Sequence, residues 1–202
     1  MQHTFLALGD SYTIGEAVPI HDSFPYQTVQ NLRKSYEGQF FTAPDIVAKT
    51  AWTTDELLEH LSHTLLLGQY DWVSLLIGVN NQYRGRPVEE FREQFRELLM
   101  FALQRVSGRP DHVFVLSIPD WGVTPFAQDR DGALIAREID TFNEVCRQMA
   151  EETGCTFLDI TASQRLDGNQ SEFLAADRLH PSGKEYAKWA ARLAQAIRQR
   201  LG

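Results

Sequence analysis

Short apolar runs alternate with amphipathic helical patterns along this 202-residue chain, and this alternation constrains the fold more than any other feature. Five apolar runs have the length and composition of strands, over residues 3–8, 45–48, 72–77, 112–118 and 156–158. Helical patterns cover residues 23–35, 54–67, 87–106, 133–152 and 182–200. Strands separated by helices pair in parallel through right-handed crossovers, so the sequence predicts an α/β fold, a three-layer α/β/α sandwich around a central parallel sheet.

The composition predicts one domain over residues 1–202. Hydrophobic residues make up 43% of the chain, which is enough for a core without a metal or disulfide. We find no internal repeat, low-complexity tract or flexible linker that would mark a boundary. Two segments without clear periodicity, residues 119–132 and 161–179, follow predicted strands and are expected to be functional loops.

Charge and the N-terminal residues narrow the classes of partner. A net charge of −8 and the absence of any basic run argue against nucleic acid as a partner. The first apolar run ends at Gly9, too early for a signal peptide core or a membrane span, so we expect no membrane span and a cytoplasmic protein. Cys146 and Cys155 are expected to be free, buried thiols rather than a disulfide or a nucleophile.

The first predicted strand leads directly into Gly9-Asp10-Ser11. The carboxyl end of a strand in a parallel sheet is where α/β enzymes place their reactive groups, so Ser11 is a candidate nucleophile. A serine hydroxyl needs an imidazole within hydrogen-bond reach to remove its proton. Without such a partner, the same three residues are equally typical of a simple turn after a strand.

Asp177 and His180 supply the two groups that such a serine needs. An acid three residues before a histidine can accept one ring N–H, fix the tautomer and stabilise the imidazolium. A surface Asp-His hydrogen bond and a pair of metal ligands are the alternatives, although a metal would require a third strong ligand. Ser182 and Glu185 have the spacing of a capping box that opens the last helix.

Two further segments offer donors for an oxyanion. Asn80 follows Gly78 after the third strand, and its amide can donate a hydrogen bond to a tetrahedral intermediate. The segment from Ala51 leads into a helix whose start has the capping-box pair Thr53 and Glu56, where backbone N–H groups favour negative charge. An ordinary turn and an ordinary capped helix explain each segment taken alone, but all these segments meet at the carboxyl edge of one sheet.

Together these residues resemble the sequence blocks of the SGNH, or GDSL, hydrolase family. The resemblance implies Ser11 as nucleophile, His180 as general base and acid, and Asp177 as the group that orients His180. It implies an oxyanion hole formed by the Asn80 side chain and the backbone N–H groups of Ser11 and Ala51. It also implies a flavodoxin-like sandwich whose five parallel strands have the order 2-1-3-4-5.

Two residues depart from the family pattern. Ala51 stands where the family has glycine, and Asn81 stands where it usually has aspartate. The methyl group of Ala51 can crowd the acyl group or restrict the dihedrals of its loop. Asn81 removes one negative charge near the site. We expect both departures to affect efficiency and acyl-size preference rather than the type of reaction.

The expected function is hydrolysis of small carboxylic esters, with short-chain acyl or acetyl esters favoured, through an acyl-enzyme and without a metal or other cofactor. The expected partner is therefore a small-molecule ester. Residues 119–122 are expected to form a lid or wall. Aromatic side chains on the presumed rim loops are candidates for the pocket wall: Tyr12, Trp52, Tyr83, Trp121 and Phe126.

Other functions fit parts of the same pattern. Lysophospholipase, thioesterase and carbohydrate acetylesterase activities use the same catalytic groups, since specificity depends on the loops. A catalytically silent domain that binds a ligand or partner on the same rim is the main alternative of another class. A phosphoryl-transfer or receiver domain using Asp10 is a weaker alternative, because that chemistry needs several carboxylates around Mg²⁺.

Overall fold

The computed structural model describes residues 2–36 and 38–201, and a five-stranded parallel sheet forms its centre. Its strands are β1 (Phe5–Asp10), β2 (Asp45–Lys49), β3 (Trp72–Leu76), β4 (Val113–Leu116) and β5 (Thr156–Leu158). They lie in the order β2-β1-β3-β4-β5, and every neighbouring pair is parallel. The predicted sheet and strand order are confirmed.

Within the described residues, eight α-helices pack around this sheet. They are α1 (Ser11–Ile14), α2 (Phe24–Ser35), α3 (Thr54–His63), α4 (Val79–Tyr83), α5 (Val88–Arg105), α6 (Gly132–Thr153), α7 (Thr161–Asp167) and α8 (Gly183–Arg198). Helices α2 and α8 pack against each other, while α3 contacts α5 and α5 contacts α6. The chain adds β2 on one side of β1 and then adds β3, β4 and β5 on the other side. Because the crossovers are right-handed, this change of side places the two groups of helices on opposite faces of the sheet. Every residue of β1 is consequently buried.

Gly9 allows the functional end of β1 to pack closely. A Cβ at this position would lie 2.1 Å from Thr13 Oγ1 and 2.3 Å from the Leu76 carbonyl oxygen. Only glycine therefore lets the strand turn directly into α1 while remaining paired with β3. This close approach places Ser11 immediately beyond the sheet, at the junction between β1 and its neighbours.

The predicted strand over residues 3–8 is broken at Thr4. The carboxylate of Asp71 accepts hydrogen bonds from the Thr4 backbone N–H at 2.7 Å and from its hydroxyl at 3.0 Å. Because Asp71 takes this donor, Gln2–His3 forms a separate short parallel pair with Phe40–Phe41. The predicted third strand likewise ends at Leu76, one residue earlier than expected.

The expectation of a loop over residues 161–179 was wrong in part, because this segment contains α7 and a 3-10 turn at Ser171–Phe173. Residues 119–131 form a loop, as expected, with 3-10 turns at Trp121–Val123 and Pro125–Ala127. The start of α7 is capped from a distant strand end, since Ser117 Oγ accepts the backbone N–H groups of Ile160 at 2.8 Å and Thr161 at 3.0 Å. A cap supplied from more than forty residues away leaves no local signal.

The predicted capping box at the start of α8 is also wrong. Ser182 Oγ donates instead to the Glu172 carbonyl at 2.7 Å. Glu185 is buried, and its Oε1 accepts from Ser163 Oγ at 3.1 Å and from Trp189 Nε1 at 3.0 Å. The glutamate links two elements rather than capping its own helix. The capping box of Thr53 and Glu56 at the start of α3 is present as predicted.

The thiols of Cys146 and Cys155 are free and buried, as predicted. Burial raises the pKa of both thiols above their ordinary value. Across residues 2–36 and 38–201, no helix combines the length and apolar composition needed to cross a membrane.

Candidate active site

The turn from β1 into α1 fixes Ser11. Asp10 is the N-cap of α1, and its Oδ1 accepts the Tyr12 backbone N–H at 3.0 Å. Gly15, with φ +77°, ends the helix in the left-handed conformation that glycine adopts without strain. The Ser11 carbonyl accepts the backbone N–H of Glu16 at 3.0 Å. Ser11 is thus the first residue of a short, capped helix whose N-terminus lies at the carboxyl edge of the sheet.

Ser11, His180 and Asp177 form a continuous hydrogen-bonded chain. His180 Nε2 lies 3.0 Å from Ser11 Oγ, and His180 Nδ1 lies 2.6 Å from Asp177 Oδ2. An ionised carboxylate can only accept, so Nδ1 donates to Asp177 and Nε2 has a free lone pair for the serine proton. The structure therefore brings together three side chains, although Ser11 and His180 are 169 positions apart in the sequence.

The loop that carries the acid and the imidazole is held by its own short-range bonds. Asp177 Oδ1 accepts the backbone N–H groups of Leu179 and His180, each at 3.0 Å. Partial burial acts to raise the pKa of the Asp177 carboxyl, but the hydrogen bonds from His180 and from these two backbone groups outweigh it and hold the pKa below its usual range. Asp177 is therefore a carboxylate at neutral pH.

A second carboxyl group, that of Asp10, directly precedes Ser11 and lies in a different environment. Asp10 is fully buried, and burial raises its pKa to about 7, although the hydrogen bond from the Tyr12 N–H acts in the opposite direction. Its Oδ2 has no hydrogen-bond partner among the described residues. Asp10 shapes the turn that carries Ser11, and it does not reach the open cleft.

The opposite side of the site is the turn over residues 49–52. Ala51 has φ +70°, a left-handed conformation that is uncommon for any residue except glycine. Arg84 donates to the Ala51 carbonyl at 2.6 Å, and Asn80 Nδ2 donates to the Trp52 carbonyl at 2.9 Å. Thr50 donates to the Glu16 carboxylate. Three side chains thus hold the turn beside Ser11, two of them from α4 and its C-cap and one from the segment after α1.

Asn81 has a role that the sequence analysis missed. It is fully buried; its Oδ1 accepts the Thr54 backbone N–H at 3.1 Å and its Nδ2 donates to Thr54 Oγ1 at 2.7 Å. Thr54 Oγ1 in turn donates to Gln94. The residue that replaces the family's usual aspartate therefore ties α4 to the start of α3 through both ends of its amide, just beyond the turn that contains Ala51.

A cleft of about 210 Å³ opens at Ser11 and His180. Of the residues expected in its wall, Ala51, Asn80, Tyr12, Tyr83, Trp121 and Phe126 line it. The sequence analysis did not single out Thr50, Val79 and Leu179, which also line it and are direct neighbours of predicted residues. Trp52 is not among the lining residues, because its ring packs against His60 with centroids 4.6 Å apart.

Three aromatic rings form one wall of the cleft. Trp121 is buried, whereas Tyr83 is 50% exposed and Phe126 is 47% exposed. The Trp121 ring lies edge-on to Tyr83 at 5.2 Å and to Phe126 at 6.2 Å between centroids. Trp121 Nε1 donates to Gln82 Oε1 at 2.8 Å, which fixes the central ring and leaves the two outer rings open to a bound molecule.

The loop that carries Trp121 is anchored by an ion pair whose carboxylate is buried. Asp120 is fully buried, accepts the Gly122 backbone N–H at 2.9 Å, and pairs with Arg165 Nε at 2.8 Å. Arg165 also contacts Asp140 at 2.9 Å. Sequence reasoning missed Gln82 and Arg165 because both belong to other elements. Residues 119–122 were expected to form a lid or wall; they belong to this anchored loop, and Trp121 lines the cleft as part of its wall.

Residues 7–188 match the family model described as the GDSL-like Lipase/Acylhydrolase family. An acetylxylan esterase from Geobacillus stearothermophilus is 26% identical to this chain, with 89% of the chain and 77% of that protein aligned. A crystal structure of the W215I variant of an acetyl xylan esterase from the same organism has a TM-score of 0.73 at 22% identity and aligns over 96% of this chain and 94% of the other.

Two other crystal structures share the fold at lower identity. A lipase/acylhydrolase from Enterococcus faecalis has a TM-score of 0.73 at 19% identity, over 98% of this chain and 96% of that one. The psychrotrophic esterase EstA from Pseudoalteromonas sp. has a TM-score of 0.73 at 15% identity, with 98% of each chain covered. Since the family match covers most of the chain and includes Ser11, Asp177 and His180, the protein belongs to the GDSL-like lipase/acylhydrolase family and is a carboxylic ester hydrolase.

Proposed function

We propose that this enzyme is a serine esterase that cleaves short-chain acyl esters, acetyl esters in particular, through a Ser11 acyl-enzyme. The observation that carries the proposal is the hydrogen-bonded chain from Ser11 Oγ to His180 Nε2 at 3.0 Å and from His180 Nδ1 to Asp177 at 2.6 Å. This arrangement has the donor and acceptor order that a serine nucleophile, its base and the orienting acid require.

In the first half-reaction, Ser11 Oγ attacks the ester carbonyl carbon while its proton passes to His180 Nε2. The carbonyl π electrons move onto oxygen, and the Asp177 carboxylate stabilises the imidazolium that forms. Collapse of the tetrahedral intermediate expels the alkoxide of the alcohol part, which takes the proton from His180 Nε2. The products of this half-reaction are the free alcohol and the Ser11 acyl ester.

The second half-reaction uses water as the nucleophile. His180 removes a proton from the water as its oxygen attacks the acyl carbon, and the same proton then returns to Ser11 Oγ when the acyl-oxygen bond breaks. The carboxylic acid leaves, and Ser11 and His180 regain their starting protonation states. No cofactor enters this balance.

We assign the stabilisation of the oxyanion in both tetrahedral intermediates to hydrogen bonds from the Asn80 side chain and from the backbone N–H groups of Ser11 and Ala51. One hydrogen of Asn80 Nδ2 is used by the Trp52 carbonyl, and the second remains for the substrate. Ala51 and Asn80 both line the cleft that contains Ser11. Donors fixed in this way before the reaction are commonly the largest catalytic contribution in acyl transfer.

The size of the cleft supports small acyl groups. Its volume of about 210 Å³ is smaller than the range of roughly 300–1,000 Å³ that is typical of sites for drug-sized ligands. Tyr12 and Val79, both buried, are among its lining residues, and we expect a cleft of this volume to hold only a short acyl chain. The acetylxylan esterase relative favours an acetyl group on a carbohydrate alcohol within this class.

The alternatives of other classes are less well supported. A silent binding domain does not need Ser11 and His180 within hydrogen-bond distance, or a carboxylate on the far ring nitrogen. A phosphoacceptor role for Asp10 requires an accessible carboxylate, whereas Asp10 is fully buried and caps α1.

The test compares p-nitrophenyl acetate, butyrate and octanoate. We expect kcat/KM to be highest for acetate or butyrate and to fall for octanoate, since only the short acyl groups fit the cleft. Ser11→Ala should abolish hydrolysis, whereas Ser62→Ala, which removes an exposed hydroxyl on α3, should retain the wild-type rate.

A fluorophosphonate probe separates covalent catalysis from simple binding. We expect one stoichiometric adduct on Ser11 by mass spectrometry, and no adduct in Ser11→Ala. Equal esterase rates in wild type and Ser11→Ala, or an octanoate preference, would contradict the proposal or its short-chain part, respectively.

A further inference from the structure

Arg178 occupies an unusual position between the orienting acid and the imidazole. Its φ is +62°, a left-handed conformation in which a residue with a side chain is strained. The side chain is exposed, and it has no hydrogen bond or ion pair with any residue in 2–36 and 38–201. A turn of this kind is built most easily with glycine, so the presence of an unpaired guanidinium here points to a use outside the fold.

Arg178 lines a second hollow of about 440 Å³, whose other lining residues include Pro125, Asn169, Ser171 and Leu174. This hollow adjoins the cleft, because Pro125 and Arg178 line the hollow while their sequence neighbours Phe126 and Leu179 line the cleft. The wall of the hollow is also hydrogen-bonded to the loop that carries Asp177 and His180, since the backbone N–H of Ala175 donates to the His180 carbonyl at 2.8 Å.

The charges around the hollow leave Arg178 uncompensated. Nearby carboxylates are already engaged: Asp177 with His180 at 2.6 Å, Glu172 with Lys184 at 2.8 Å, and Asp167 with Lys188. The side chains of Asn169 and Ser171 are free donors as far as the described residues are concerned. A guanidinium with an amide and a hydroxyl beside it is a donor set that suits an anionic oxygen group.

The position of the hollow identifies the part of the substrate that reaches it. The leaving alcohol must lie next to His180 Nε2, because that nitrogen returns the proton to it, whereas the acyl oxygen lies towards Ala51 and Asn80 on the other side. Arg178 lines the hollow, whereas its neighbour Leu179 and the nearby His180 line the cleft, so the hollow adjoins the cleft along the segment that carries His180. We expect a group attached to the alcohol to extend past Phe126 and Leu179 towards Arg178.

We propose that Arg178, with Asn169 and Ser171, forms a subsite for an anionic group on the alcohol part of the ester, a carboxylate or a phosphate. This inference rests on the proposed serine esterase function, and it assigns the substrate class as a short-chain acyl ester of an acidic alcohol. The guanidinium binds the anion, and the separation between Arg178 and His180 sets how far the anion lies from the ester.

The experiment measures kcat/KM for paired acetyl esters. One set has the alcohols 4-hydroxybenzoate, 4-hydroxyphenylacetate and 4-hydroxyphenylpropionate, each paired with its neutral amide, so that the carboxylate lies at three distances from the ester. A further pair uses 4-hydroxyphenyl phosphate and neutral 4-methoxyphenol. The readout is the ratio of anionic to neutral kcat/KM in wild type, Arg178→Gly, Arg178→Lys and Arg109→Gln. The intrinsic reactivity of each ester is the same for every variant, so it cancels when the ratios are compared between variants.

We expect Arg178→Gly to lower the ratio about fivefold for at least one carboxylate or for the phosphate, and added salt to lower the wild-type ratio in the same direction. Arg178→Lys should keep part of the preference because it keeps the charge. Arg109→Gln removes one exposed cation at the amino edge of the sheet and should keep the wild-type ratio. Glycine suits φ +62°, so Arg178→Gly is expected to fold.

Which anion shows the loss decides between carboxylate and phosphate. A ratio that is the same in wild type and Arg178→Gly for all four anions overturns the subsite. That outcome is distinct from failure of the serine esterase function, in which the neutral esters themselves are not hydrolysed or are hydrolysed equally by Ser11→Ala.

Discussion

The two sides of the cleft are built by different means. On the side of the proposed base, the base side, Asp177 accepts hydrogen bonds from the backbone of Leu179 and His180 and from the ring of His180, all within three residues of itself. On the side of the proposed oxyanion hole, the oxyanion side, the turn over residues 49–52 is held by Glu16, Asn80 and Arg84, which lie 28 to 34 positions away. A local motif can form wherever its loop is placed, whereas the oxyanion turn depends on the packing of the whole sheet edge.

The largest effect is expected on the base side, from Asp177→Asn. An amide in place of the carboxylate can turn its NH₂ group towards Nδ1 and favour the tautomer that cannot accept the serine proton. We expect kcat for p-nitrophenyl acetate to fall about 10⁴-fold with little change in KM. The matched control is Asp111→Asn at the amino edge of the sheet. A loss of less than tenfold would show that the base side does not depend on its local acid.

On the oxyanion side, Asn80→Ala removes a side-chain donor that no neighbouring group replaces. We expect kcat to fall about 10²- to 10³-fold, because the interaction strengthens only as the oxyanion forms. Asn31→Ala, at a half-buried position of α2 outside the cleft, is the control. A change in KM with kcat intact would mean that Asn80 binds the substrate and does not stabilise the intermediate.

The long-range assembly of the oxyanion side can be tested with Asn81→Asp. Both ends of the Asn81 amide are used by Thr54, and a buried carboxylate loses the donor and adds an unpaired charge. We expect the free energy of unfolding, measured in urea, to fall by about 1–3 kcal/mol. Asn31→Asp should change it by less than about 0.5 kcal/mol. If the free energy of unfolding of Asn81→Asp is unchanged, the Asn81 amide does not help to hold the turn in place.

The smallest expected effect is a gain in stability from Ala51→Gly. Glycine removes the strain of φ +70°, and the gain exceeds the entropy that glycine adds to the unfolded chain. We expect an increase of about 1 kcal/mol in the free energy of unfolding. Ala191→Gly, at an exposed position of α8, should lower it by about 1 kcal/mol. The same sign for both variants would show that Ala51 is not strained.

The base side was also the part that the sequence predicted best. Asp177 and His180 are neighbours in the chain, and the alternation of strands and helices brings Ser11 to the same edge, so that a short-range motif and a fold pattern were sufficient. The strand order came from the family resemblance, because periodicity specifies only the alternation.

What the sequence did not predict depends on contacts between distant elements. The start of α7 is capped by Ser117, Glu185 bonds Ser163 instead of capping α8, and Trp52 packs on His60 instead of lining the cleft. Each of these side chains has a plausible local role and a tertiary partner that overrides it. Local spacing cannot reveal which partner a side chain takes when the choice is made by packing.

The buried carboxyl of Asp10 makes folding itself a proton-binding event. Between its ordinary pKa of 3.8 and its pKa of about 7 in the folded chain, the unfolded chain releases this proton while the native state retains it. Its contribution to stability is complete below pH 3.8 and is lost as the pH rises to about 7. Asp177, whose pKa is lowered, contributes in the reverse sense and loses its effect in acid. The titration of Asp10 therefore makes the fold more stable in acid, whereas the titration of Asp177 makes it more stable at neutral pH.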